Sequence, residues 1–171
     1  MGQEWDKLAG RMAARADINR RLYESVGKQT ELVRTAAREL CPVKHGELRQ
    51  SISISLEQEG ETMRGICYTN KEYAAYVEFG TGPNGEQNHE GISPAITPAY
   101  SQRGWMMPAS AMPLREAEEY GFGIAMKDGK VIGYYTNGQS ARPFMYPALK
   151  NNVEKVIRNI RNDLGEEIRS L

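Results

Sequence analysis

Cys41-Pro42-Val43-Lys44-His45-Gly46-Glu47-Leu48-Arg49-Gln50-Ser51-Ile52-Ser53-Ile54-Ser55-Leu56 is the stretch in which the hydrophobic period of this 171-residue chain changes. Before it, Trp5, Leu8, Met12, Ala16, Leu22, Val26, Val33, Ala37 and Leu40 follow one helical stripe. Pro42 stops that helix, because the residue before a proline is pushed out of the α region. After Gln50, Ile52, Ile54 and Leu56 take one side while Ser51, Ser53 and Ser55 take the other, the period of a strand. The switch predicts a long N-terminal helix followed by a small sheet. Gly27 leaves two forms open for the helix: two shorter helices on one core, or one continuous arm reaching a neighbouring subunit.

Outward from this junction, Glu57 to Glu61 reads as a polar turn around Gly60, and Met63 to Thr69 as a returning strand. Tyr73 to Phe79 fits a short helix or a strand, stopped by Gly80. From Gly80 to about Tyr120 the chain is rich in Gly, Pro, Asn and Ser, yet carries Trp105, Met106, Met107 and Met112. Long loops of this kind are usually functional, so it reads as a loop ordering against a partner. Phe122 to Met126 and Val131 to Thr136 flank Lys127-Asp128-Gly129-Lys130, whose Asp-Gly is a hairpin signal. A last helix is expected from near Pro143, with Leu149, Val153, Val156, Ile160, Leu164, Ile168 and Leu171 on one face. The expectation is a single α+β domain over 1–171, in segments 1–40, 41–79, 80–140 and 141–171. A long N-terminal helix, a small mainly antiparallel sheet with a long loop insertion, and a C-terminal helix packed alongside compose it.

Twenty-two Lys and Arg balance twenty-two Asp and Glu, which removes the simplest argument for a nucleic-acid binder. No apolar run is long enough for a membrane span, and MGQEWDKLAG has charges where a signal peptide needs apolar residues. Cys41 and Cys67 lack CxxC or Cys/His spacing and are expected to be small, reduced, apolar residues. His45 and His89 form no metal-binding pair, so no metal or cofactor is expected. A hydrolytic group of His45, Glu47 and Ser51 lacks a nucleophile turn. Gly80-Thr81-Gly82-Pro83-Asn84-Gly85 resembles a phosphate loop only in composition. Glu78, set among Tyr76, Val77 and Phe79, needs a cation if shielded, and Arg142 is the partner expected for a structural ion pair.

Three phrases carry a resemblance. Cys41 to Ile52 is similar to the pattern A-P-x-x-T-G-x-L-R-x-S-I, Tyr73 to Thr81 to Y-A-x-Y-V-E-F-G-T, and Ala141 to Ala148 to A-R-P-F-M-x-P-A. Together they resemble the minor tail component, or neck and tail-completion proteins, of the Hong Kong 97 type of long-tailed bacteriophages. The motif positions are Pro42, Gly46, Leu48, Ser51, Tyr73, Ala74, Tyr76, Glu78, Gly80, Thr81, Arg142, Pro143, Phe144 and Pro147. The chain departs from the pattern at His45, where threonine is usual.

The resemblance implies a virion structural protein of a phage or prophage, with no active site, acting at the head–tail junction. Its partners would be further copies of itself in a ring, head-closure or connector proteins, and tail-terminator proteins, with two forms open for the isolated subunit: an oligomer, or a monomer that assembles only on its partner. DNA would pass through the channel without sequence-specific contact, and no membrane is involved. The protein would sit in the virion and, during assembly, in the host cytoplasm. Trp105, Met106, Met107 and Phe144 are the interface candidates, each weighed against burial in its own core. A non-viral oligomeric adaptor and, further off, a small hydrolase using His45 and Glu78 are the alternatives.

Overall fold

The computed structural model describes residues 2–60 and 62–168 and has an α+β fold. The chain divides into two compact units, one formed by Met1–Lys71 with Phe144–Leu171, the other by Glu72–Pro143.

The first unit is organised on α1, Gly2–Leu40, a single helix about 58 Å long at ~1.5 Å per residue. Gly27 does not break it. A Cβ there would lie 3.2 Å from Leu56 Cδ1, so the glycine serves close packing against the strand that follows. The buried side chains of α1 begin at Ser25 and continue through Gln29, Thr30, Val33 and Ala37. This differs from the stripe expected from the sequence: Leu8, Met12 and Leu40 are exposed, and polar residues occupy the middle of the buried face. The side chains of Trp5 and Ile168, and the whole of Leu171, lie outside the described residues.

The Cys41 N–H bonds to Ala37 and Pro42 follows, as the proline rule requires. Gly46, in the left-handed region at φ 81°, opens a helix the sequence reading missed, α2, Glu47–Ser51. Ser51 therefore closes a helical turn rather than starting the strand. Its hydroxyl lies 2.8 Å from the Leu48 carbonyl and 2.6 Å from Thr69 Oγ1. Ile52 is fully buried at the junction, and Arg38 Nη2 donates to its carbonyl at 2.7 Å. The hairpin then forms as expected: β1, Ser53–Glu59, pairs antiparallel with β2, Thr62–Tyr68, from Ser53↔Tyr68 to Glu59↔Thr62. Gly65 lets β2 lie directly on α1, since a Cβ there would collide with Thr30 Oγ1.

The C-terminal helix is divided. Residues 145–150 form one short helix and Val153–Ile168 the longer one. At the break the Asn152 N–H bonds to Leu149, and its side-chain amide donates to the Ala148 carbonyl at 2.8 Å. Asparagine thus competes with the helical ladder for its own acceptor. The longer helix packs on α1, with Val156, Ile160 and Leu164 half-buried, whereas Leu149 and Val153, expected on the same buried face, are exposed. Its polar contacts to α1 run from Ser25 Oγ to Asp163 Oδ2 at 2.6 Å and from Asn159 Nδ2 to Gln29 Oε1 at 2.8 Å.

In the second unit, Tyr73–Phe79 resolves to a helix, α3, Ala74–Phe79. Gly80 ends it, and α4, Gly82–Gln87, follows with Pro83 in its first turn. The stretch expected as a loop carries elements of its own. They are a strand β3, Trp105–Pro108, a 3-10 turn at Ala109–Ala111, and α5, Leu114–Glu119. The Asp-Gly hairpin is present, with Asp128 and Gly129 both at positive φ, as a two-residue hairpin turn demands. It joins β4, Gly123–Lys127, to β5, Lys130–Thr136, and β3 pairs on the other side of β5. The long stretch is ordered because Met106 and Met107 face Tyr135 and Tyr134 across the ladder. These strand pairings are non-local and leave no mark in the local composition.

Candidate protein-contact site

The second motif phrase meets the first three residues of the third, Ala141 to Pro143, in the second unit. The Arg142 N–H donates to the Val77 carbonyl at 2.8 Å, Thr81 and Gln139 form an antiparallel bridge, and Gln139 Nε2 donates to the Tyr76 carbonyl at 2.8 Å. Glu78 is buried and Arg142 exposed, and the Arg142 backbone is held at Val77, the neighbour of Glu78 in the chain. The glycines of Gly80-Thr81-Gly82-Pro83-Asn84-Gly85 are needed for this closeness. A Cβ on Gly82 would lie 2.7 Å from the Asn137 carbonyl oxygen, and one on Gly85 would lie 2.8 Å from the Gly80 carbonyl carbon. The phrase also follows a helix, not the strand a nucleotide loop requires.

Beside this junction lies a cavity of about 960 Å³ within the second unit. Tyr76, Phe79, Trp105, Met107, Tyr120 and Phe122 line much of it. Tyr76, Trp105 and Tyr120 remain 58%, 37% and 49% exposed. Tyr100 anchors the wall, donating its hydroxyl to the Phe79 carbonyl at 2.7 Å and stacking on His89. Burial, and then the Glu86 carboxylate, push the Tyr100 phenol upward. Trp105 and Met107 of the sequence-derived interface set therefore line the cavity. Met106, on the opposite side of the same strand, is 57% exposed and pairs with Tyr135. Phe144 is fully buried, the alternative weighed for it from the start. Tyr76, Tyr100, Tyr120 and Phe122 were not singled out as lining residues. Their signal was the crowding of aromatics between Tyr68 and Tyr146.

The first unit has a smaller apolar groove, about 470 Å³, with Val26, Val33, Met63, Cys67 and Ile160 among its lining. Both cysteines are free thiols. Burial pushes the Cys67 thiol up, against the pull of Arg34 and Arg38.

Two residues of the hydrolytic group weighed from the sequence, Glu47 and Ser51, have other partners. Glu47 pairs with Lys71 at 2.9 Å, and Ser51 bonds Leu48 and Thr69. His45 and Glu78 belong to different units. The Lys71 ammonium, by hydrogen bond and by charge, holds the Glu47 carboxyl below its usual value. A group depressed in the fold contributes its stability above its unfolded pKa and loses it as pH falls through the folded pKa. Lys71→Met should therefore move the Glu47 midpoint up towards 4.5 in a carboxyl NMR titration; an unmoved midpoint would refute the pairing. Among the described residues no three His, Cys, Asp or Glu side chains cluster to hold a metal, and no helix is long and apolar enough to cross a membrane.

What the second unit offers is an aromatic cavity and exposed apolar strands, a surface suited to holding another protein. Residues 6–80 match the HK97-gp10-like family model, described as "Bacteriophage HK97-gp10, putative tail-component". The match spans most of α1, then α2, the hairpin and α3, somewhat under half of the chain, and supports a likeness to the tail components of the Hong Kong 97 type. What is matched is thus similar to a putative tail component of a bacteriophage. No curated protein and no solved structure matches the chain.

Proposed function

We propose that the chain is a virion structural protein of a long-tailed phage or prophage, serving at the head–tail junction as a neck or tail-completion subunit. The observation that carries this reading is the tail-component match across residues 6–80. Copies of the protein would form a ring and contact head-closure proteins on one side and tail-terminator proteins on the other, without catalysis. DNA would pass through the ring with no sequence-specific contact. Electron microscopy of particles assembled with and without the protein tests the role. Heads and tails left unjoined in its absence are expected; normally joined particles would remove the assignment.

The pairing of Glu78 with Arg142 belongs to the same reading, as an ion pair that fixes the motif junction. Arg142 is exposed, so the coupling should be modest, about 0.5–1 kcal/mol in a double-mutant cycle with Glu78→Gln and Arg142→Met. Zero coupling would show that the two side chains act independently.

A further inference from the structure

We propose that the N-terminal part of α1 is the grip by which one copy holds the next, its Leu8–Met12 edge seating in the aromatic cavity of a second copy. The proposal rests on the self-assembling reading above and specifies its contact. Among residues 4–17 whose side chains are described, all but Ala14 are exposed, including Leu8 at 46% and Met12 at 66%. Apart from Ala14, half-buried side chains of α1 begin at Ile18 and fully buried ones at Ser25, which leaves residues 2–17, about 24 Å of helix at ~1.5 Å per residue, beyond the packed part. A helix of that length without packing is marginal in water, so its apolar edge calls for a partner.

Leu8 and Met12 stand one turn apart and present a single apolar edge. Residues 2–21 around them carry five cations and three anions. The second unit, residues 72–143, carries five cations and eight anions, and is thus of opposite sign. Its cavity is open at Tyr76, Trp105 and Tyr120, with Glu118 and Glu119 of α5 adjoining Tyr120 in the chain. A thioether and a leucine side chain suit such an aromatic recess, sulfur against ring edges. Contact between different surfaces of identical copies is head-to-tail, the arrangement that makes a ring where the rotation between copies closes and a filament where it does not.

The test uses the full chain in three forms: wild type, an arm variant with Leu8→Glu and Met12→Glu, and a cavity variant with Tyr76→Ala and Tyr120→Ala. Self-association is followed by sedimentation across a concentration series, with circular dichroism and melting as checks of folding. Each variant alone should associate at least about 30-fold more weakly, as for loss of an interface hot spot. An equimolar mixture should regain a heterodimer, because each chain supplies the half the other lacks. Should the cavity variant fail to fold, Glu118→Lys with Glu119→Lys replaces it, with the same weakening expected. The proposal falls if either variant assembles like wild type, or if the mixture recovers nothing. A wild-type chain that stays monomeric at every concentration also overturns it, while the particle imaging above decides the virion role separately.

Discussion

Gly80→Ala should lower the stability of the second unit by about 3 kcal/mol or more, although it adds only one methyl group. Two effects combine. At φ 76° and ψ 178° the residue sits in a region essentially confined to glycine, at a strain of ~1–3 kcal/mol for any other side chain. The new Cβ would also lie 2.7 Å from the Ala141 nitrogen, 2.8 Å from the Gln139 carbonyl oxygen and 2.9 Å from Gly85 Cα. All three are backbone atoms held in the α3–bridge junction, so no rotamer change relieves the contact. Gly121 is the control: its φ is also positive, at 69°, but a Cβ there meets nothing within 4 Å. Urea unfolding of the two variants separates backbone strain from collision. Equal losses in both would show that the close approach at Gly80 is unimportant.

Phe144→Ala is the second large effect, about 3–5 kcal/mol, since it empties the largest fully buried side chain among the described residues. At ~2–4 °C per kcal/mol for a chain of this size, the melting temperature should fall by roughly 10 °C. Phe144→Leu should keep most of the stability, because it preserves apolar volume. A loss below about 1 kcal/mol on Phe144→Ala would place the ring outside the core and return it to the interface candidates.

Much of the architecture was legible in residues that act locally. Pro42 stops α1, Gly80 stops α3, and Asp128-Gly129 turns the β4–β5 hairpin, each through its own backbone preference. Positions decided by distant neighbours were not legible. Ser51 reads as a strand residue by alternation with Ile52 and Ile54, yet Gly46 starts a helical turn before it. Gly27 leaves a broken and a continuous helix equally open until Leu56 is seen to pass over it. The ladder between Trp105–Pro108 and the far side of β5 depends on residues almost thirty positions away, so composition suggested only a loop. The aromatic cavity was half legible: Trp105 and Met107 stood out as apolar residues in a polar stretch, whereas Tyr76 and Tyr120 look like ordinary amphipathic surface residues.

The polar contacts between α1 and the C-terminal helix bear on how many ways those two helices can pair. Leucines along a seam would tolerate sliding, because one apolar contact replaces another. Ser25 with Asp163 and Gln29 with Asn159 do not, since a shift of one turn, ~5.4 Å, parts both couples together. Buried Ser25 and Gln29 would then lose their partners at ~1–3 kcal/mol each. The seam works as a vernier: it trades some apolar adhesion for a single permitted alignment, and so sets how far α1 projects beyond the helix it rests on.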